Sequence, residues 1–270
     1  MVYILHRRRH IVSRVTHRLS YYPRSFGARS VGVIELGSMT KLLLITGASA
    51  GIGLSTASRF LSDGYTVVNL SRRPCPLQGV QHLRCDLAQQ DFLEKIRSAL
   101  ELLLSQADRV SIIHNASRLS NDTATNTPSD EFRDVLEINI VAPNTLNRFV
   151  IPYMKHGSSV LFVGSTLSEK AVPGSYTYVT SKHGMIGMMR AVCQDLAGTG
   201  IHTACVCPGF TDTEMLREHV PADALEAVSG MSAFGRLIEP TEIAETLFWA
   251  ASNPVINGSV MHANLGQIET

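Results

Sequence analysis

Tyr178 and Lys182 stand four residues apart inside a helix-like stretch over 176–197, so a helix there sets a phenol and an ammonium on one face about one turn apart. An ammonium beside a phenol stabilises the phenolate, which brings a group of ordinary pKa ~10 within reach of proton exchange near neutral pH. A tyrosine and a lysine on a surface helix would do no chemistry. What sets this pair apart is a second motif far upstream. Thr46-Gly47-Ala48-Ser49-Ala50-Gly51-Ile52-Gly53 follows directly on the apolar run Lys41-Leu42-Leu43-Leu44-Ile45, and a helical pattern from Leu54 to Leu61 follows in turn. The order is strand, glycine turn, helix N-terminus. Glycines lack a Cβ, so backbone amides and the positive end of the helix dipole can approach a dinucleotide pyrophosphate closely.

The elements that must position these groups alternate along the chain. Strand-like runs at 41–46, 65–71, 80–84, 110–114, 159–164, 202–207 and 259–263 are separated by helix-like stretches at 52–62, 91–104, 131–156, 176–197 and 240–251. Such alternation predicts an α/β, Rossmann-like, doubly wound parallel sheet of about seven strands with helices on both faces. With 270 residues, 44% of them hydrophobic, the chain suffices for one sizeable core and a single folded domain over 40–270.

The glycine turn and Tyr178-Val179-Thr180-Ser181-Lys182 together resemble the short-chain dehydrogenase/reductase family, marked by Thr-Gly-x-x-x-Gly-x-Gly and Tyr-x-x-x-Lys. Further positions agree: Asn115-Ala116 after the run Val110 to Ile113, Asn139 within 131–154, Ser165 after Val160 to Val163, and Pro208-Gly209 after Thr203 to Cys207. The resemblance spans 40–270 and implies a catalytic tetrad. In it Tyr178 is the general acid of carbonyl reduction, and Ser165 hydrogen-bonds the substrate oxygen as charge develops. Lys182 holds the nicotinamide ribose and supports Tyr178, while Asn139 interrupts its helix and anchors a water connecting Lys182 to solvent. It also places Gly47, Ser49, Gly51, Ile52, Gly53, Asn115, Ala116, Pro208, Gly209, Thr211 and Thr213 against the cofactor, with Tyr178 and Lys182. Asp86 of Cys85-Asp86-Leu87 matches the family aspartate that meets the adenine amino group, with Leu87 beside it. One departure stands out. Where the family often reads Asn-Asn-Ala-Gly, this chain reads His114-Asn115-Ala116-Ser117, so a serine replaces a glycine that lets backbone approach the cofactor, with consequences for cofactor or substrate placement. His114, at a strand end, is expected to be a packed structural residue without a catalytic role.

Cofactor choice is read from the end of the second strand, Tyr65 to Leu70, which runs into Ser71-Arg72-Arg73 and carries no acid there. A carboxylate at this place accepts from the ribose hydroxyls of NAD, whereas a guanidinium pairs with the 2′-phosphate of NADP. NADP(H) is therefore favoured over NAD(H), with Arg72 and Arg73 as phosphate ligands rather than a merely solvated corner.

The total charge of +1 hides an asymmetry: residues 1–39 carry seven Arg, three His and the single acid Glu35, about +6, and the remainder balances at about −5. A basic, serine-bearing, acid-poor N-terminus reads as a transit peptide, as a contact for nucleic acid or anionic lipid, or as sequence upstream of a start at Met39. We expect the last, with this extension poorly ordered. No apolar stretch approaches the ~18 residues of a membrane span. Five cysteines form an odd set without framework spacing, which suits a reducing cytosol, and Cys205-x-Cys207 reads as two small core residues on one face of a strand. A cytoplasmic protein is expected, or an imported one if residues 1–39 are a transit peptide. No zinc or calcium pattern occurs, so no metal is expected.

The segment 210–239, bearing Met215, Leu216, Val220, Leu225, Met231 and Phe234, corresponds to the family's mobile substrate lid. The ending around Asn257-Gly258 to Gly266 resembles reductases of 3-oxoacyl thioesters. The resemblance implies NADPH-dependent reduction of a small-molecule carbonyl substrate to its alcohol, by a homodimer or homotetramer with no nucleic-acid or membrane partner. Two other readings use the same residues: an NAD(P)-dependent alcohol dehydrogenase working in oxidation, and a cofactor-sensing protein without turnover. The intact tetrad argues against the second.

Overall fold

Leu42 to Ile45, Val67 to Leu70, Val110 to Ile113 and Val160 to Val163 are unbroken buried runs, as strands covered on both faces require. In the computed structural model they form the centre of a seven-stranded, wholly parallel sheet: β1 Lys41–Thr46, β2 Thr66–Ser71, β3 Val80–Arg84, β4 Arg109–His114, β5 Ser159–Val163, β6 His202–Pro208 and β7 Ser259–Ala263, in the spatial order β3-β2-β1-β4-β5-β6-β7. The structure describes residues 39–267; the basic N-terminal segment and the expectation attached to it lie outside the described residues. Register alternates side chains between two cores. Leu42, Leu44, Val68, Leu70, Ile112 and Phe162 face one, and Leu43, Ile45, Val67, Ile113, Leu161 and Val206 face the other.

Helices α1 Gly51–Ser62 and α8 Pro240–Ser252 cover the second core, and α2 Phe92–Gln106, α4 Ala142–Val150 and α5 Tyr176–Asp195 cover the first. On α1 the buried residues are Gly53, Thr56, Ala57 and Phe60, one face of a helix by spacing. Phe60 meets Phe248 of α8 edge-to-face with ring centroids 5.1 Å apart, and Arg59 stacks on the same Phe248 ring while pairing with Glu245. The stripe that α5 buries has a split character: Thr177, Tyr178, Ser181 and Lys182 at one end, Met185, Ile186 and Met189 at the other. The polar end needs hydrogen-bond partners, and it lies where the carboxyl ends of the strands supply them.

The sequence reads one helix over 131–156, and the structure divides it. Helix α3, Ser129–Leu136, passes into a π turn at Glu137–Val141 and then into α4. The buried Asn139 sits in the middle of that π turn. Between β6 and α8 the chain forms two short helices, α6 Glu214–His219 and α7 Leu225–Gly230, which periodicity in 210–239 does not reveal.

Candidate active site

From β1 the chain winds outward through β2 to β3, then returns to the other side of β1 with β4, so the winding reverses between β1 and β4. In an open α/β sheet the crevice outside the carboxyl ends at such a reversal is where ligands bind. The glycine turn after β1, the ends of β2 and β3, Asn115-Ala116 after β4, Ser165 after β5 and Gly209 after β6 all stand at the carboxyl ends of the strands.

The turn between β1 and α1 is built for close approach. Gly47 and Gly51 have φ of +72° and +54°, a left-handed backbone that favours glycine. A Cβ on Gly53 would stand 2.2 Å from the carbonyl oxygen of Gly47, so only glycine fits. Ala50 precedes α1 with no side-chain cap, which leaves the first-turn amides beside Ser49, Gly51 and Ile52 for a ligand. Thr46 and Asn115 lock this turn to β4: Thr46 Oγ1 accepts from the amides of Asn115 and Ala116, both at 3.0 Å, and Asn115 Nδ2 donates to the carbonyls of Thr46 and Gly47. From the other side the buried Asn69 accepts from Ala48 N at 2.9 Å and donates to Arg73 O at 3.1 Å. These features fit the pyrophosphate of a dinucleotide.

At the end of β2, Ser71 Oγ donates to Arg73 O at 2.6 Å, which shapes the corner. The Arg72 side chain is exposed there, and Arg73, 68% exposed, pairs with Glu214 of α6 at 3.3 Å. Asp86 Oδ1 accepts from Ala88 N, whereas the Leu87 side chain is buried in the core and offers the crevice only its backbone. Past β6, Gly209 N donates to Ala263 O, Thr211 Oγ1 to Gly209 O, and Thr213 caps α6 by accepting from Leu216 N. The Thr213 methyl would lie 3.1 Å from a Cβ on Gly51, so the start of the 210–239 segment rests on the glycine turn.

On the other side of the reversal stand Asn139, Ser165, Tyr178 and Lys182. Lys182, 1% exposed, donates from Nζ to the Val163 carbonyl at the end of β5 at 2.7 Å, and Nζ lies 5.3 Å from the centroid of the Tyr178 ring. Ser165, two residues beyond Val163, caps a single 3-10 turn, Thr166–Ser168. Its Oγ accepts from Leu167 N at 3.1 Å, and its own amide donates to Ser168 Oγ. Asn139 Oδ1 accepts from Arg118 N at 2.8 Å, while its Nδ2 donates to Arg118 O and to Ser181 Oγ. Ser181 Oγ in turn donates to Tyr178 O, so the chain from the β4 loop through Asn139 to α5 is continuous. Asp122 Oδ1 accepts from Thr177 N and fixes the start of α5.

His114 is fully buried and its Nε2 meets Asn147 Oδ1 at 2.8 Å; burial pushes its pKa down to about 4 although the hydrogen bond opposes the shift. It is a neutral core residue. Cys205 and Cys207 are buried with sulfurs 3.8 Å apart. Among the described residues no group of three or more His, Cys, Asp or Glu could hold a metal ion, and no helix is long and apolar enough to cross a membrane.

Sequence reasoning passed over Asn69, Ser181, Ser168 and Arg118, which hold the site residues in place. Asn69 had a visible signal, a lone amide within Val67-Val68-Asn69-Leu70. Arg118 had none, because it acts through its backbone.

A parallel sheet of this order with a glycine-turn crevice and a Tyr-x-x-x-Lys helix defines a nicotinamide-dinucleotide oxidoreductase. The family model described as short chain dehydrogenase matches residues 41–224, and the chain belongs to that family. It is an NAD(P)-dependent enzyme of carbonyl and alcohol interconversion. Among curated proteins it is 29% identical over 227 residues to the 3-oxoacyl-[acyl-carrier-protein] reductase FabG of Thermotoga maritima, covering 79% of this chain and 91% of that one. It is 26% identical to carbonyl reductase family member 4 of Danio rerio, over 83% and 96% of the two chains. A solved short chain dehydrogenase family protein of Francisella tularensis superposes with a TM-score of 0.78 at 23% identity, covering 85% of this chain and 98% of that one.

Proposed function

We infer that this enzyme reduces the ketone of a largely apolar substrate, of the 3-oxoacyl thioester class, with NADPH as the preferred cofactor. The observation that carries the reading is the Lys182 ammonium, buried beside the Tyr178 ring and fixed on the carbonyl of Val163, the residue two before Ser165 in the chain. With its pyrophosphate held at the glycine turn, the dinucleotide would supply the hydride from its nicotinamide. Tyr178 donates its phenolic proton to the substrate oxygen as hydride addition makes that oxygen basic. Ser165 Oγ already accepts from Leu167 N, so its own hydrogen is left to donate to the same oxygen. Lys182 commits one of its three hydrogens to Val163 O and keeps two for the ribose and for Tyr178.

Support for NADPH comes from the exposed guanidiniums of Arg72 and Arg73 at a strand end without an acid. Support for an apolar substrate comes from Met215 and Phe234, exposed on the 210–239 segment, which this reading makes the substrate lid. The relatives named as 3-oxoacyl-[acyl-carrier-protein] reductase point to the thioester. The reading also has the enzyme acting in the cytoplasm as a homodimer or homotetramer, without nucleic acid.

Tyr178→Phe keeps the ring and removes the proton donor. Turnover of a 3-oxoacyl thioester with NADPH should fall by about 10²-fold to 10⁴-fold while NADPH still binds. Near-parental turnover in that variant sinks the assignment.

A further inference from the structure

Gly164, between the end of β5 and Ser165, lies flat against sulfur. A Cβ added there would stand 2.7 Å from Cys205 Sγ, 2.7 Å from Cys207 Sγ and 2.9 Å from Ser168 Oγ, so two thiols and a hydroxyl converge on one glycine. All three side chains are buried, and the Gly164 amide donates at 2.7 Å to the carbonyl of Val206, the residue between the two cysteines. Small hydrophobes at 205 and 207 would fill the space as well. What distinguishes the thiols is where their hydrogen bonds lead.

Ser168 Oγ accepts from the Ser165 amide at 3.0 Å, and the Ser168 amide donates to the Ser165 carbonyl at 2.9 Å, so one residue holds both backbone polar groups of Ser165. Having accepted there, the Ser168 hydroxyl has a hydrogen to give, and the Cys207 sulfur receives it. Hydrogen bonds from the Cys205 thiol, from the Ser168 hydroxyl and from the Ser165 amide hold the Cys207 thiol below its ordinary range, although burial opposes them. A second tie reaches the same turn from the edge strand: Glu169, which follows Ser168, pairs at 2.8 Å with His262, the β7 partner of Cys207. Both of those side chains are more than two-fifths exposed, and such a pair fixes little. The buried tie through Cys207 is the one able to hold a direction.

We propose that Cys207 is a positioning residue for Ser165: its sulfur takes the hydrogen of the Ser168 hydroxyl, which turns a Ser168 lone pair toward the Ser165 amide and so sets the direction in which Ser165 Oγ meets the substrate oxygen. The inference rests on Ser165 serving carbonyl reduction as proposed above and is independent of the preference for NADPH. Cys205, two residues earlier on β6 and as completely buried, gives a matched comparison, because its polar neighbours are Cys207 and the Gly164 backbone.

The test compares Cys207→Ala, Cys207→Ser, Ser168→Ala and Cys205→Ala in the full chain, and Cys207→Ala combined with Ser165→Ala, by kcat and KM for a 3-oxoacyl thioester, by the NADPH dissociation constant and by hydrogen exchange at the Ser165 amide. Cys207→Ala and Ser168→Ala should each lower kcat about fivefold to fiftyfold, part of what loss of the Ser165 hydroxyl itself costs, with KM and NADPH affinity held within about twofold and Ser165 exchange about fivefold faster. Cys207→Ser keeps an acceptor and should recover most of the loss, and Cys205→Ala should lose less than about threefold. In the Ser165→Ala background, Cys207→Ala should cost nothing further. Near-parental kcat or exchange in Cys207→Ala overturns the proposal, as do equal losses in Cys205→Ala and Cys207→Ala, or an undiminished loss without the Ser165 hydroxyl. Should Cys207→Ala not fold, Ser168→Ala decides by the same criteria. Ser165→Ala at parental kcat overturns both readings, whereas a parent inactive on the thioester refutes the substrate class alone and leaves Cys207 to be judged on Ser165 exchange.

Discussion

The polar groups around α5 and those at the end of β2 lie at the same carboxyl edge of the sheet and are built in opposite ways. Asn139 is wholly buried, both faces of its amide are spent on named partners, and its neighbours Ser181 and Lys182 are likewise buried and bonded. Arg72 and Arg73 stand in solvent, and the one ion pair they make among the described residues joins two side chains that are each about two-thirds exposed. A buried network loses little by reorganisation when chemistry occurs, and its members are placed before any ligand arrives. The exposed corner has no such commitment. Its energy appears only when a charged group docks, which suits a choice between two cofactors that differ by one phosphate.

If that contrast holds, the buried side should carry the larger stability effects. His114 takes up a proton in the unfolded chain below about pH 6.5 but in the folded chain only near 4. The unfolded state therefore binds more protons across that window, and stability falls as pH drops through it, by about 3 kcal/mol in all from this residue. Burial holds the His202 pKa down as well, which adds loss of the same sign. Urea unfolding of the parent and of His114→Gln between pH 7 and 4 should show a shallower decline in the variant. Identical declines would mean that His114 is protonated in the fold.

The exposed side should discriminate between ligands and leave stability alone. Arg72→Ala should weaken NADPH binding tenfold to a few hundredfold, for loss of one or two charge-assisted hydrogen bonds at ~1.5 to 3 kcal/mol each, with NADH little changed and the melting temperature held. Equal weakening of both cofactors would reduce Arg72 to a surface residue. Glu214→Gln gives the smallest effect. It releases Arg73 from a competing carboxylate, so NADPH should bind up to about fivefold more tightly at low salt, and the gain should vanish as salt rises. Tighter NADH binding in the same variant would blur the contrast between the two regions.

The strand runs, the glycine turn and the Tyr178–Lys182 spacing were legible because each depends on local rules: unbroken apolar runs for strands covered on both faces, glycine's access to positive φ, and helical i to i+4 geometry. Strand order and the reversal between β1 and β4 were not legible, because right-handed crossovers fix the face on which each helix lies and not which strands become neighbours. The helix expected over 131–156 contains a π turn that periodicity does not announce. Its place is set by Asn139, whose amide pairs with Arg118, 21 residues earlier in the chain, and with Ser181, 42 residues later. The same limit hid the pair that Arg73 makes with Glu214, 141 residues away. By itself the sequence determined which residue types could do the chemistry and which elements would carry them. Only the tertiary structure decided which of those groups are already satisfied by one another and which still need a ligand, because a hydrogen bond depends on distance and direction between atoms that chain order leaves far apart.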